Sequence, residues 1–169
     1  MNKYLFFIAA SLPLLTATDL TAASPVAVQD PVGKHQSTNA DNQAIRQLLD
    51  GYTHSVMSGD QKRFESLLLD LDIPFSSVEQ VNKGGGTRNY AGFKAAIFDS
   101  GERFSQRFHN VRIEQDGDLA QVSLDFETTR IATRRGSYGW KVLHLLKVHG
   151  EWKIASEFYT AQTMPQSQH

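Results

Sequence analysis

Two side chains in this sequence combine an apolar setting with the ability to hold or move a proton, Tyr52 and His144. Tyr52 recurs at helical spacing with Ile45, Leu48, Leu49 and Val56, so its ring belongs to the buried face of a helix. A phenol there is a buried hydrogen-bond donor able to polarise a carbonyl, or a core tyrosine whose hydroxyl takes a local partner. His144 alternates with Tyr138, Trp140, Val142, Leu146 and Val148, the phase of large apolar side chains on a strand. A neutral imidazole in that phase can donate a hydrogen bond, act as acid or base, or be a satisfied core histidine.

Other polar groups fall outside such a site. Asp125 and Glu127 alternate with Val122, Leu124 and Phe126 and therefore point to the outer, solvated side of their strand. His109, His144 and His149 lack metal-site spacing and have no interleaved carboxylates, so neither metal nor cofactor is expected. Gly84-Gly85-Gly86 lacks the strand before it and the Gly-Lys-Ser/Thr ending of a phosphate loop; it reads as a flexible mouth loop, with Arg88 beyond it as a weak anion contact.

The elements that position these residues follow from periodicity. A helix starts near an Asp41 cap, Gly59 breaks it, and a second short helix spans about 60–69 before Pro74. A strand over 75–81, the glycine loop and a third helix over 90–103 come next. Four long strands complete the chain at about 107–115, 119–131, 138–149 and 152–160, joined by tight turns at Asp116-Gly117 and His149-Gly150. This is an α+β layout, with about three helices packed on one face of a strongly curved, mainly antiparallel sheet that encloses a cone-shaped pocket.

Ahead of the domain, Lys3, the apolar run from Leu5 to Leu15 and Thr21-Ala22-Ala23 have the order of a secretory signal peptide over residues 1–23. The run is far shorter than the roughly 20 residues that span a bilayer. Residues 24–40 read as a flexible spacer, 41–162 as the domain and 163–169 as a tail. The expected location is the periplasm or the medium. The chain has no cysteine, a formal net charge of -1 and a pI near 6.6, which argues against nucleic acid or membrane as partner.

Two stretches carry a resemblance: Tyr52-Thr53-His54-Ser55-Val56-Met57-Ser58-Gly59-Asp60 in the first helix and His149-Gly150-Glu151-Trp152-Lys153-Ile154 in the last hairpin. They resemble the nuclear transport factor 2-like superfamily, which includes ketosteroid isomerases, SnoaL-like polyketide cyclases and scytalone dehydratases, over about Ile45 to Ala161. The resemblance implies that Tyr52 stands where the isomerases bind an oxyanion and His144 near their protonated aspartate. It also implies departures. The isomerase base would fall at Ser76 or Ser77, and the histidines of the cyclases and dehydratases at Ser156 and Phe158. Hydroxyls and a phenyl ring cannot do that proton transfer.

What remains suits binding. Phe75, Tyr90, Phe104, Trp140, Ser156 and Phe158 are the expected lining of a largely apolar pocket for a small apolar or aromatic molecule. An enzyme of isomerase, dehydratase or cyclase type would need Tyr52 and His144 to converge; an envelope protein-interaction module would show a filled cone and an exposed apolar patch. Leu143 and Leu145 alternate with Val142, His144 and Leu146, so both faces of that strand are apolar. A homodimer through the sheet, or a terminal segment laid over it, would cover the second face.

Overall fold

The chain is described by a computed structural model over residues 35–82 and 88–165. The expected signal peptide, most of the expected spacer, the glycine triplet and the end of the expected tail lie outside these residues. The elements in chain order are α1 (Asn39–Ser58), α2 (Gln61–Ser66), β1 (Phe75–Ser77), α3 (Val78–Asn82), α4 (Tyr90–Ile97), β2 (Phe104–Asp116), β3 (Leu119–Arg130), β4 (Gly136–Val148), β5 (Glu151–Tyr159) and β6 (Gln162–Thr163). β2 to β5 form an antiparallel meander, β1 joins the free side of β5 in parallel, and β6 pairs with the start of β4.

The helix starts correct the sequence reading at its edges. Thr38, not Asp41, caps α1: its hydroxyl accepts the Asp41 N–H at 3.1 Å, so the helix begins inside the expected spacer. Gly59, at φ 71°, ends it by returning its N–H to the last turn, and Asp60 caps α2 at once. The expected strand after Pro74 stops at Ser77, where Val78–Asn82 winds into a short helix, so the described residues form four helices where about three were expected. Gly101, at φ 73°, reverses the chain so that Phe104 starts β2 instead of ending a helix.

The core lies between α1, α2 and α4 and the inner face of the sheet. It is centred on Ile45, Tyr52, Phe64, Leu124, Leu143 and Ile154, all buried. At the His149-Gly150 turn both residues have positive φ, as a two-residue hairpin requires. That turn pairs Val148 with Glu151 and Leu145 with Ile154.

Released from capping, Asp41 ties α1 to three strands. Its carboxylate accepts from Lys147 Nζ at 2.7 Å, Gln115 Nε2 at 2.9 Å and Trp152 Nε1 at 3.0 Å. The Lys147 bond above all, with those of Gln115 and Trp152, holds the Asp41 carboxyl below the usual carboxylate range. A carboxyl lowered in the folded state stabilises fully above its unfolded pKa of about 3.9, and that contribution is lost as pH falls toward the folded value. Asp41→Asn should therefore lower stability at pH 7 and flatten its decline between about pH 5 and pH 2, as read by urea unfolding. An unchanged acid slope would assign the decline to other groups.

Candidate functional site

Besides the Asp41–Lys147 pair, the inner face carries a fully buried charged cluster. Tyr52 on α1, Lys141 on β4 and Glu157 on β5 close a ring of contacts. Tyr52 Oη donates to Glu157 Oε2 at 2.9 Å, Lys141 Nζ donates to Tyr52 Oη at 2.8 Å, and Lys141 Nζ stands 2.6 Å from Glu157 Oε1. The side chains of Lys141 and Glu157 are 2% and 0% exposed. Four aromatic rings cage the ammonium, with centroids 4.7 Å (Tyr52), 5.1 Å (Phe126) and 5.5 Å (Phe108 and Tyr159) from Nζ.

Burial lowers the Lys141 pKa, and the Glu157 carboxylate opposes that shift. Burial, followed by the charge of Glu157, pushes Tyr52 well above an ordinary phenol and Tyr159 to about 12. Lys141, Glu157 and Tyr159 form one wall of a cleft of about 120 Å³ between α4 and the sheet, with Phe93, Ile97 and Gln106 among its other lining residues. The Tyr52 proton is directed at Glu157, so a carbonyl could receive it only by displacing that carboxylate.

His144 does not join this cluster. Cross-strand pairing places Lys141, Leu143 and Leu145 of β4 beside Leu124, Val122 and Ala120 of β3, all buried, so Trp140, Val142 and His144 face outward. The phase first assigned to β4 is therefore reversed. On the outer face His144 Nδ1 lies 2.7 Å from Ser156 Oγ, and its ring meets Phe158 edge-on. Among the described residues no carboxylate is bonded to that imidazole, and the Ser156 side chain is shut off from solvent.

β5 also switches faces. Its register against β4 shifts at Ala155, because His144 pairs with Ser156 while Leu145 pairs with Ile154. This bulge turns Glu157 inward beyond Trp152 and Ile154 and sends Phe158 outward. The expected wall of Trp152, Ile154, Ser156 and Phe158 is thus split between two faces. Lys141 and Glu157 are the residues that sequence reasoning missed. The signal for Lys141 was present, since the two-residue turn after β4 sets its phase relative to Trp152; the bulge that turns Glu157 inward left none.

A larger cavity lies on the outer face, where β1, α3, β4 and β5 meet. It has a volume of about 650 Å³ and is lined chiefly by Pro74, Val78, Trp140, Val142 and Phe158, with Arg88 at its edge. Trp140 and Phe158 are 52% and 43% exposed. Of the expected lining residues these two reach it, and Ser156 lies beside them under His144. Phe75 and Tyr90 are core side chains that line neither cavity, and Phe104, also buried, lines a separate cavity of about 390 Å³ with Ile97, Thr128 and Arg130. Asp125 and Glu127 lie on the outer side of β3, facing Asn110 and His109 of β2.

A SnoaL-like domain family model matches residues 45–159. The chain belongs to the SnoaL-like family. Solved structures agree with this SnoaL-like assignment at the level of fold. An NTF2-like protein of unknown function from Shewanella baltica is 20% identical, has a TM-score of 0.57 and covers 78% of this chain and 100% of its own. A protein provisionally assigned as a scytalone dehydratase from Novosphingobium aromaticivorans is 15% identical, with a TM-score of 0.60 and coverage of 77% and 90%. A protein of unknown function with a cystatin-like fold from Nostoc punctiforme is 11% identical, with a TM-score of 0.60 and coverage of 75% and 95%. Comparison with curated protein sequences finds no match. The SnoaL-like fold is thus α+β and NTF2-like, with helices on a curved, mostly antiparallel sheet.

Proposed function

We propose that this SnoaL-like protein is an exported domain that binds a small apolar or aromatic molecule in the outer-face cavity. One observation carries the reading: about 650 Å³ of concave apolar surface, floored by the exposed rings of Trp140 and Phe158. The volume falls within the range of small-molecule sites, and exposed aromatic rings gain apolar contact by covering a flat ligand. The order of Lys3, the Leu5–Leu15 run and Thr21-Ala22-Ala23 supports export to the periplasm or the medium. The interior cluster suits a structural role, since each of its charged groups is already partnered.

Trp140 is the more exposed of two tryptophans, so its fluorescence reports on the cavity directly. A panel of naphthalene and indole compounds should quench it, and Trp140→Ala or Phe158→Ala should weaken binding by about tenfold, or ~1.4 kcal/mol, in calorimetry. Affinities unchanged by both substitutions would sink the reading.

The exposure of Tyr138, Trp140 and Phe158 along one face also favours a second reading, a homodimer through the sheet. Sedimentation separates the two. A stable dimer that Trp140→Asp converts to monomer would give this face to a second copy, whereas a monomer leaves it to the ligand.

A further inference from the structure

Among the described residues the lining of the outer cavity includes one cationic residue, Arg88, whose backbone is held by neighbouring contacts. Phe75 N donates to Arg88 O at 3.0 Å, Asn89 bridges to Pro74, and Tyr90 N donates to Ile73 O at 3.2 Å. The Cα of Arg88 is thereby held against the β1 edge, at the rim of the apolar floor. Among the described residues the lysines and arginines that make carboxylate ion pairs are Lys94, Arg130, Lys141, Lys147 and Lys153; Arg88 makes none. Among the described residues the lining includes no acid; Glu79 of α3 lies outside it, close enough to Tyr159 of the lining for its charge to raise that phenol's pKa. Arg88 thus stands in the wall of a cavity floored by aromatic rings, without an ion-pair partner among the described residues, and a guanidinium so placed can take a carboxylate in a bidentate pair.

We propose that the ligand class of this cavity is a monocarboxylate: an aromatic or aliphatic acid whose body covers Trp140 and Phe158 while its carboxylate pairs with Arg88. The proposal rests on the outer cavity being the ligand site. A single cation opposite an extensive apolar wall matches one negative charge on a hydrophobic body. It matches a polyanion poorly, because a second charge would lie against Pro74, Val78 or Val142 without a partner.

The test uses 2-naphthoate and its neutral isostere 2-naphthamide, titrated calorimetrically into the wild-type protein, Arg88→Gln and Trp140→Ala. The acid should bind the wild type about tenfold or more tighter than the amide. Arg88→Gln should abolish that difference while leaving the affinity for the amide unchanged, and added salt should weaken the acid alone. Trp140→Ala should weaken both compounds. Acid and amide of equal affinity, both weakened by Trp140→Ala and neither by Arg88→Gln, would overturn the carboxylate proposal and leave the cavity reading standing. Binding of neither compound, or binding indifferent to both substitutions, would overturn both. Arg88 is exposed, so an unchanged thermal transition certifies the Gln variant as folded.

Discussion

Glu157→Leu should cost about 3–5 kcal/mol of folding stability, and the double variant Lys141→Met/Glu157→Leu should recover most of that loss. Removing the carboxylate alone leaves the Lys141 ammonium buried without its counter-charge, 2.6 Å from where Oε1 stood. The aromatic cage offsets only part of that desolvation, since cation–π contacts contribute about 0.5–2 kcal/mol. Removing both charges leaves an apolar pair beside Phe108, Phe126 and Tyr159, and Tyr52 then loses both polar partners of its hydroxyl. For that reason recovery should be more complete when Tyr52→Phe is added.

The single variant should also show a pH signature. Burial already lowers the Lys141 pKa in the folded state, and losing Glu157 lowers it further. Between that lowered value and the unfolded value near 10.4, the unfolded chain holds the proton that the folded chain has released. Stability of Glu157→Leu should therefore rise from pH 7 to pH 9.5 relative to the wild type, as measured by urea unfolding. A double variant no more stable than Glu157→Leu would show that the cluster acts through shape and not through charge.

Gly139→Ala should destabilise the protein at or beyond the upper end of the ~1–3 kcal/mol typical of overpacking. A Cβ at Gly139 would overlap the backbone oxygen of Thr160 and stand 3.2 Å from the Phe126 ring. A backbone oxygen cannot rotate away as a side chain can. Relief requires β4 and the segment after β5 to separate, which breaks the Thr160 N to Trp140 O bond of 2.9 Å and the Trp140 N to Thr160 Oγ1 bond of 3.2 Å. Those bonds set the position of Trp140 at the cavity floor, so the variant should also bind aromatic ligands more weakly than the wild type. Differential scanning calorimetry with ligand titration tests both effects. A thermal transition within 1–2 °C of the wild type, on the roughly 4–8 °C per kcal/mol of small domains, would contradict the close approach.

The Asp41 contacts, the Tyr52 cluster and the outer cavity differ in how far the sequence revealed them. Local information was sufficient for the strand order of the meander, for the two-residue turn at His149-Gly150 and for the buried face of α1 with Tyr52 in its middle. Each of these depends on side chains a few positions apart, and periodicity records such spacings directly. The outward phase of Asp125 and Glu127 was equally legible, because β3 alternates cleanly between apolar and polar residues.

β4 does not alternate in this way. Leu143 and Leu145 in one phase compete with Trp140, Val142 and Leu146 in the other, so apolarity could not choose its inner face. Pairing with β3 and β5 made that choice, and it put Lys141 inside and His144 outside. The bulge at Ala155 then moved Glu157 to the inner face, where it meets a lysine 16 positions earlier in the chain and a tyrosine 105 positions earlier. By itself the sequence determined the fold class and the core position of Tyr52, since local spacing and apolar patterning encode both. The partners of Tyr52 and the face of the sheet that bears the cavity were decided by tertiary structure, because strand register is set by contacts between distant segments.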